Sequence, residues 1–124
     1  MLWISLTFAT EIQILYNNRM KELRIGSLEL NPQKQELSFR AEDGTQGRRK
    51  LSFREASVLR LLIEARGEIV ENHILLMEFW GTDTVYSLNS LYVFMSRLKQ
   101  VLAVDPSLTI VNARGIGYRL IKSE

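Results

Sequence analysis

The chain contains no cysteine, one histidine and two prolines in 124 residues, and these shortages remove whole classes of chemistry. Without cysteine there is no disulfide, no thiolate metal site and no thiol nucleophile. The single histidine, His73, has no second ligand within metal-binding sequence spacing and reads as a surface helix residue. No phosphate-cradling glycine loop and no nucleophile–base pair is present, so an enzyme is not expected and no cofactor is called for. Long apolar runs are missing too. Residues 1–16 are the most apolar stretch, but Glu11 and Gln13 interrupt it after ten residues. A membrane-spanning helix needs roughly 20.

Charge of one sign is barely in excess, at a net +2. Its distribution is uneven: residues 1–84 carry a net −1 and residues 85–124 a net +3. The basic end points to an anionic partner or reflects a chance fluctuation. Residues 1–24 read as an apolar appendage to one domain over 25–122. The stretch 1–16 lacks the basic start and small-residue cleavage site of a secretory signal. Three readings stay open for it: a segment packed on the domain, the tail of a longer protein, or the end of a truncated membrane helix. In the last case Arg19, Lys21 and Arg24 would be the cytoplasmic flank. A cytoplasmic location is expected, with membrane association through 1–16 as the alternative.

From Ile25 the pattern is that of a small antiparallel sheet. Ile25 to Leu30 and Gln35 to Ala41 alternate, Asn31-Pro32 marks a turn, and Asp43-Gly44 signals a hairpin in which both central residues accept positive φ. Arg48-Arg49-Lys50 then returns as a third strand, its charges guarding an edge. Ser52-Phe-Arg-Glu55 is a capping box that opens a helix with Ala56, Leu59, Leu62 and Ile63 on one face. Gly67 suits the left-handed position that ends it. Residues 68–70 can form a short bridging strand. A second helix is expected from Asn72 to Trp80, followed by a polar loop over 81–86.

Ser87 is the expected cap of a third helix over 87–102. Leu88, Leu91, Met95, Leu98 and Leu102 share its core face. The opposite arc carries Asn89, Val93, Ser96 and Gln100, flanked by Tyr92 and Arg97. Such a set suits a major groove, where Asn and Gln pair with adenine, Arg with guanine, and Val with a thymine methyl. It also suits an ordinary polar surface, and the helix alone does not decide between them. Asp105-Pro106 breaks the helix. Residues 109–112 and 118–121 then alternate as paired strands around Arg114-Gly-Ile-Gly117. Two glycines permit a tight turn, and an arginine at its tip can enter a narrow minor groove. A plain surface hairpin is the other reading.

Taken together, these segments resemble the winged helix-turn-helix effector domain of OmpR/PhoB-type bacterial response regulators. The resemblance covers about residues 25–121. It rests on Leu51-Ser-Phe-Arg-Glu55, Phe79-Trp80-Gly81, Val93-Phe-Met-Ser-Arg97-Leu-Lys and Val111-Asn-Ala-Arg-Gly-Ile-Gly-Tyr-Arg-Leu120, four motifs in family order and spacing. It implies an α+β fold: an N-terminal antiparallel sheet, a three-helix core and a C-terminal hairpin wing. It implies sequence-specific binding of double-stranded DNA for transcriptional control. Val93 and Arg97 would face base edges. Ser90, Lys99 and the Trp80 indole would contact phosphates. Arg114 would enter the minor groove, with Asn112 holding the backbone nearby. The loop 81–86 would be offered to RNA polymerase, and two copies would bind head to tail.

The sequence departs from the family at three places. Asn89 stands where the family often has arginine, Tyr92 where it commonly has aspartate, and Arg97-Leu-Lys99-Gln100 replaces Arg-Leu-Arg-Lys. No receiver domain or phosphoacceptor aspartate cluster is present, so control by phosphorylation is not expected from this chain. Fewer phosphate partners imply weaker non-specific binding. They also support an alternative, a winged-helix protein-interaction module that has drifted from DNA.

Overall fold

The structure is a computed structural model and describes residues 23–123; of the appendage read over 1–24, residues 1–22 lie outside them. Two antiparallel sheets flank three helices. The first sheet runs in the order β1 (Arg24–Ile25), β2 (Leu28–Asn31), β3 (Glu36–Arg40) and β4 (Gln46–Lys50). Helix α1 spans Phe53–Glu64, the two-residue strand β5 is Val70–Glu71, and α2 is Asn72–Phe79. Helix α3 (Val85–Val101) runs into a 3₁₀ turn at Leu102–Val104. The hairpin β6 (Leu108–Ala113) and β7 (Gly117–Lys122) closes the chain, and β5 adds to β7 to give the second sheet its order β5-β7-β6.

The first sheet has four strands where the sequence suggested three. Gly26, at φ +57°, reverses the chain after Ile25, so the stretch 25–30 is a tight hairpin rather than one strand. Alternation then sorts the faces. Leu28 and Leu30 of β2 sit opposite Phe39 and Leu37 of β3; the three leucines are buried and Phe39 packs half buried against the core. Strand β4 buries none of its residues and carries Arg48, Arg49 and Lys50 on an exposed edge, as expected of a charge-guarded strand. The Asp43-Gly44 turn differs from expectation. Only Gly44 has positive φ, Gly44 N–H donates to the Ala41 carbonyl, and Ala41 N–H closes on Thr45. This is a three-residue loop ending in a left-handed glycine.

Helix α1 opens on the expected capping box: Ser52 Oγ accepts from Glu55 N–H and Glu55 returns a carboxylate to Ser52 N–H at 2.8 Å. It buries Ala56, Val58, Leu59, Leu62 and Ile63. At its other end Arg66 takes the left-handed C′ position at φ +50°, and Gly67 follows with positive φ, one residue later in the cap than the sequence suggested. Helix α2 contributes Leu75 and Leu76, while Ile74 stays half exposed.

Helix α3 begins two residues before the expected start. Thr84, not Ser87, is the cap: its hydroxyl accepts from Ser87 N–H, and Ser87 Oγ accepts from Thr84 N–H at 2.8 Å. Ser87 therefore occupies the third helical position and is buried. The polar loop shortens accordingly, because Val85 and Tyr86 belong to the helix. The core face holds Leu91, Met95, Leu98 and Leu102, with Leu88 half buried, and adds Val101. These side chains meet α1, α2 and the inner residues Ile110, Tyr118 and Leu120 of the hairpin in one hydrophobic cluster. Removing a leucine from such a cluster to alanine costs about 2–5 kcal/mol.

One polar group ties the two sheets together. Asp105, 8% exposed, accepts from Ser27 N–H and Ser27 Oγ at 2.8 Å each, and from Ser107 N–H at 2.9 Å and Ser107 Oγ at 2.6 Å. Burial opposes ionisation here, but the hydrogen bonds from Ser107 and Ser27 override it and hold the carboxyl well below the usual range. In the sequence this residue shows only as half of a helix-breaking Asp-Pro pair, also found in the family's closing segment, with no sign of the tie to Ser27. No helix among the described residues is long and apolar enough to cross a membrane, and no metal-holding cluster of His, Cys, Asp or Glu occurs among them.

Candidate nucleic-acid interface

The core face of α3 fixes what its other face can present. With Leu91, Met95 and Leu98 inward, Asn89, Ser90, Val93, Ser96, Arg97, Lys99 and Gln100 all lie outward and exposed. Val93 is 53% exposed at the centre of this surface, against the usual preference of valine for the interior.

Two grooves run along the sides of that helix face. On one side Asn89, Ser90, Val93 and Arg97 share a groove with Trp80 and Arg54. Trp80 caps α2, and its ring meets Phe94 of α3 edge-on at 5.5 Å. The Arg54 guanidinium lies 4.2 Å from the Trp80 ring centroid and donates to the Phe79 carbonyl at 2.8 Å. The indole is thus clamped between a cation and an aromatic edge. On the other side Ser96 and Lys99 share a groove with Tyr92 of α3 and with Asn112 and Tyr118 of the hairpin. Burial pushes the Tyr118 phenol up to about 12, with Tyr92 adding to the effect, so it is neutral throughout the physiological range. Gln100 is exposed one turn beyond and lines neither groove.

The hairpin projects Arg114. Its turn is closed by Ile116 N–H donating to the Ala113 carbonyl, and Gly115 supplies the required positive φ of +73°. Gly117 has a different role from the one expected. A Cβ there would lie 2.1 Å from the Val70 carbonyl oxygen, so the residue is small because β5 presses against it. Among the described residues Arg114 makes no ion pair or hydrogen bond.

All ten residues singled out from sequence are accessible to solvent at least in part. Seven of them lie on α3, Trp80 and Asn112 line the grooves beside it, and Arg114 lies at the hairpin tip, in neither groove. Arg54 was missed. Its one signal was its place in the first turn of α1, where a cation opposes the helix dipole. His73 is exposed as expected, but it has a partner that sequence separation concealed, Asp83, at 2.6 Å from Nδ1.

Comparison with known proteins agrees with this geometry. Residues 46–120 match the family described as transcriptional regulatory protein, C terminal. The chain is 30% identical over 108 residues to the transcriptional regulatory protein RprY of Bacteroides fragilis, covering 87% of this chain and 44% of that protein. It is 33% identical over 104 residues to the regulatory protein VanRB of Enterococcus faecalis, covering 83% of this chain and 43% of that one. The chain therefore spans less than half the length of these relatives. Among solved structures, the DNA-binding domain of the response regulator AdeR, crystallised with an intercistronic region, superposes with a TM-score of 0.64 over 79% of this chain and 97% of that one, at 16% identity. A winged-helix fold and a matching sequence family lead to the same conclusion: the chain belongs to the OmpR/PhoB-type family of transcriptional regulatory C-terminal domains, a family of DNA-binding regulators and not of enzymes.

Proposed function

We propose that this chain reads DNA sequence by laying α3 in the major groove while Arg114 enters the adjacent minor groove. The observation that carries this is the exposed Val93–Arg97 surface of α3 beside a hairpin whose tip arginine has no partner among the described residues. Val93 would pack on a thymine methyl and Arg97 would pair with a guanine edge. Asn89, Ser96 and Gln100 are the further polar groups of that surface. Trp80, Ser90 and Lys99 would contact phosphates, and Asn112 would hold the backbone near the wing. Residues 81–86 form the proposed surface for RNA polymerase, with Tyr86 85% exposed and Val85 72% exposed. Two copies would bind direct repeats head to tail.

Selection from a randomised duplex library at moderate salt tests the reading. Enrichment of a defined site is expected. Recovery of unenriched sequence refutes it. In that event, a protein partner that protects Tyr92 and Phe94 from hydrogen exchange would establish the interaction-module alternative.

A further inference from the structure

We propose that Arg54 is a DNA phosphate contact, reaching from α1 into the groove beside Asn89 and Ser90. This rests on the DNA-binding reading above and names a residue that reading lacks. Arg54 is the second residue of α1, directly after Phe53 and one before the capping Glu55. A cation in a first helical turn faces the positive end of the helix dipole, so the position is not favoured by the helix itself. The fold compensates from outside. The Phe79 carbonyl, at the C-terminal and negative end of α2, accepts one hydrogen bond at 2.8 Å, and the Trp80 face lies 4.2 Å from the guanidinium carbon. The charge is therefore held in place without being neutralised by a carboxylate: the ion pairs of the described residues do not include Arg54.

The guanidinium presents five N–H groups in a planar fork, and the Phe79 bond leaves others for a second acceptor. That fork borders the same groove as Asn89, Ser90 and Arg97. A planar fork suits a phosphate, which it can bind through two parallel hydrogen bonds. Where relatives often carry an arginine on the recognition helix, this chain has Asn89. Arg54 restores that charge from the neighbouring helix, with Ser90 as the hydroxyl donor to the same phosphate.

The test measures binding of the full chain to a short mixed-sequence duplex by fluorescence anisotropy across a salt series. The logarithmic salt slope counts phosphate charges neutralised, at about 0.9 per contact on duplex DNA. Arg54→Gln is expected to reduce the slope by about 0.9 and to weaken binding roughly eightfold at about 0.1 M salt. Arg54→Lys should keep the slope, because charge and reach are retained. Asn89→Arg in the Arg54→Gln background should restore it. A purely structural Arg54 that only supports Trp80 would lower affinity and leave the slope unchanged, and that result overturns the proposal. Wild-type protein that binds no DNA overturns the DNA-binding reading and this proposal together, whereas wild-type binding with an unaltered Arg54→Gln slope overturns only this one. Should Arg54→Gln fail to fold, as judged by circular dichroism, Arg54→Met keeps an apolar stem over Trp80 without the charge: a slope reduced by about 0.9 supports the contact and an unreduced slope refutes it.

Discussion

Replacing Asp105 with asparagine perturbs a tie between segments 78 residues apart. The wild-type carboxylate accepts four hydrogen bonds, two of them from backbone N–H groups at 2.8 and 2.9 Å. Ser27 is exposed and Ser107 half buried, so water can replace the bonds to their hydroxyls. The backbone donors are harder to resolvate, and each bond lost to a charged acceptor contributes about 1–1.5 kcal/mol after that discount. The expected loss is therefore about 2–3 kcal/mol at neutral pH. In a domain of this size that lowers the melting temperature by roughly 10–20 °C. The pH dependence provides the sharper test. The folded carboxyl titrates well below its ordinary value of 3.8, so its stabilisation is fully present above about pH 4 and is lost as pH falls further. The difference between wild type and Asp105→Asn should therefore be flat from neutral pH to about 5. Below about 4 it should shrink by at most about 1.4 kcal/mol per pH unit. Urea titrations followed by tryptophan fluorescence measure both. A neutral-pH difference under about 0.5 kcal/mol, or one that stays constant well below pH 4, would refute the assignment.

Four other perturbations have expected outcomes. Arg97→Ala should cost about 1–3 kcal/mol in DNA binding and relax one base preference, and Arg114→Ala should weaken sites with A·T-rich flanks most; competition binding on selected sites reads both. Gly117→Ala drives a Cβ to 2.1 Å from the Val70 carbonyl and 2.8 Å from Glu71 Cα, and these are backbone atoms of β5 with little room to yield. It should destabilise by about 1–3 kcal/mol or more in chemical denaturation, with β5–β7 exchange protection lost first. Tyr118 should ionise late, near pH 12, in an ultraviolet titration, and Tyr118→Phe should remove that phase. Because its folded value is raised, its stabilisation is present below about 10 and is lost as pH rises toward 12.

The sequence alone determined what depends on neighbours a few residues apart. The Ser52–Glu55 capping box and the spacing of Leu91, Met95 and Leu98 act through adjacent helical turns, so both were legible in the chain. The Gly115 turn beside Arg114 was legible for the same reason. Competition among local signals was harder to resolve. Thr84 and Ser87 are both good capping residues, and Ser87 lost because its hydroxyl serves Thr84 from inside the first turn. Tertiary structure decided the rest. Gly117 is a glycine because of Val70, and Asp105 bonds Ser27 as well as its neighbour Ser107; neither Val70 nor Ser27 is near its partner in sequence. Arg54 becomes part of the candidate interface only when α2 brings Phe79 and Trp80 beneath it. Local hydrogen bonds and periodicity fix which elements form, whereas the close approach of distant backbone and the sharing of one carboxylate or one aromatic face exist only once the core has folded.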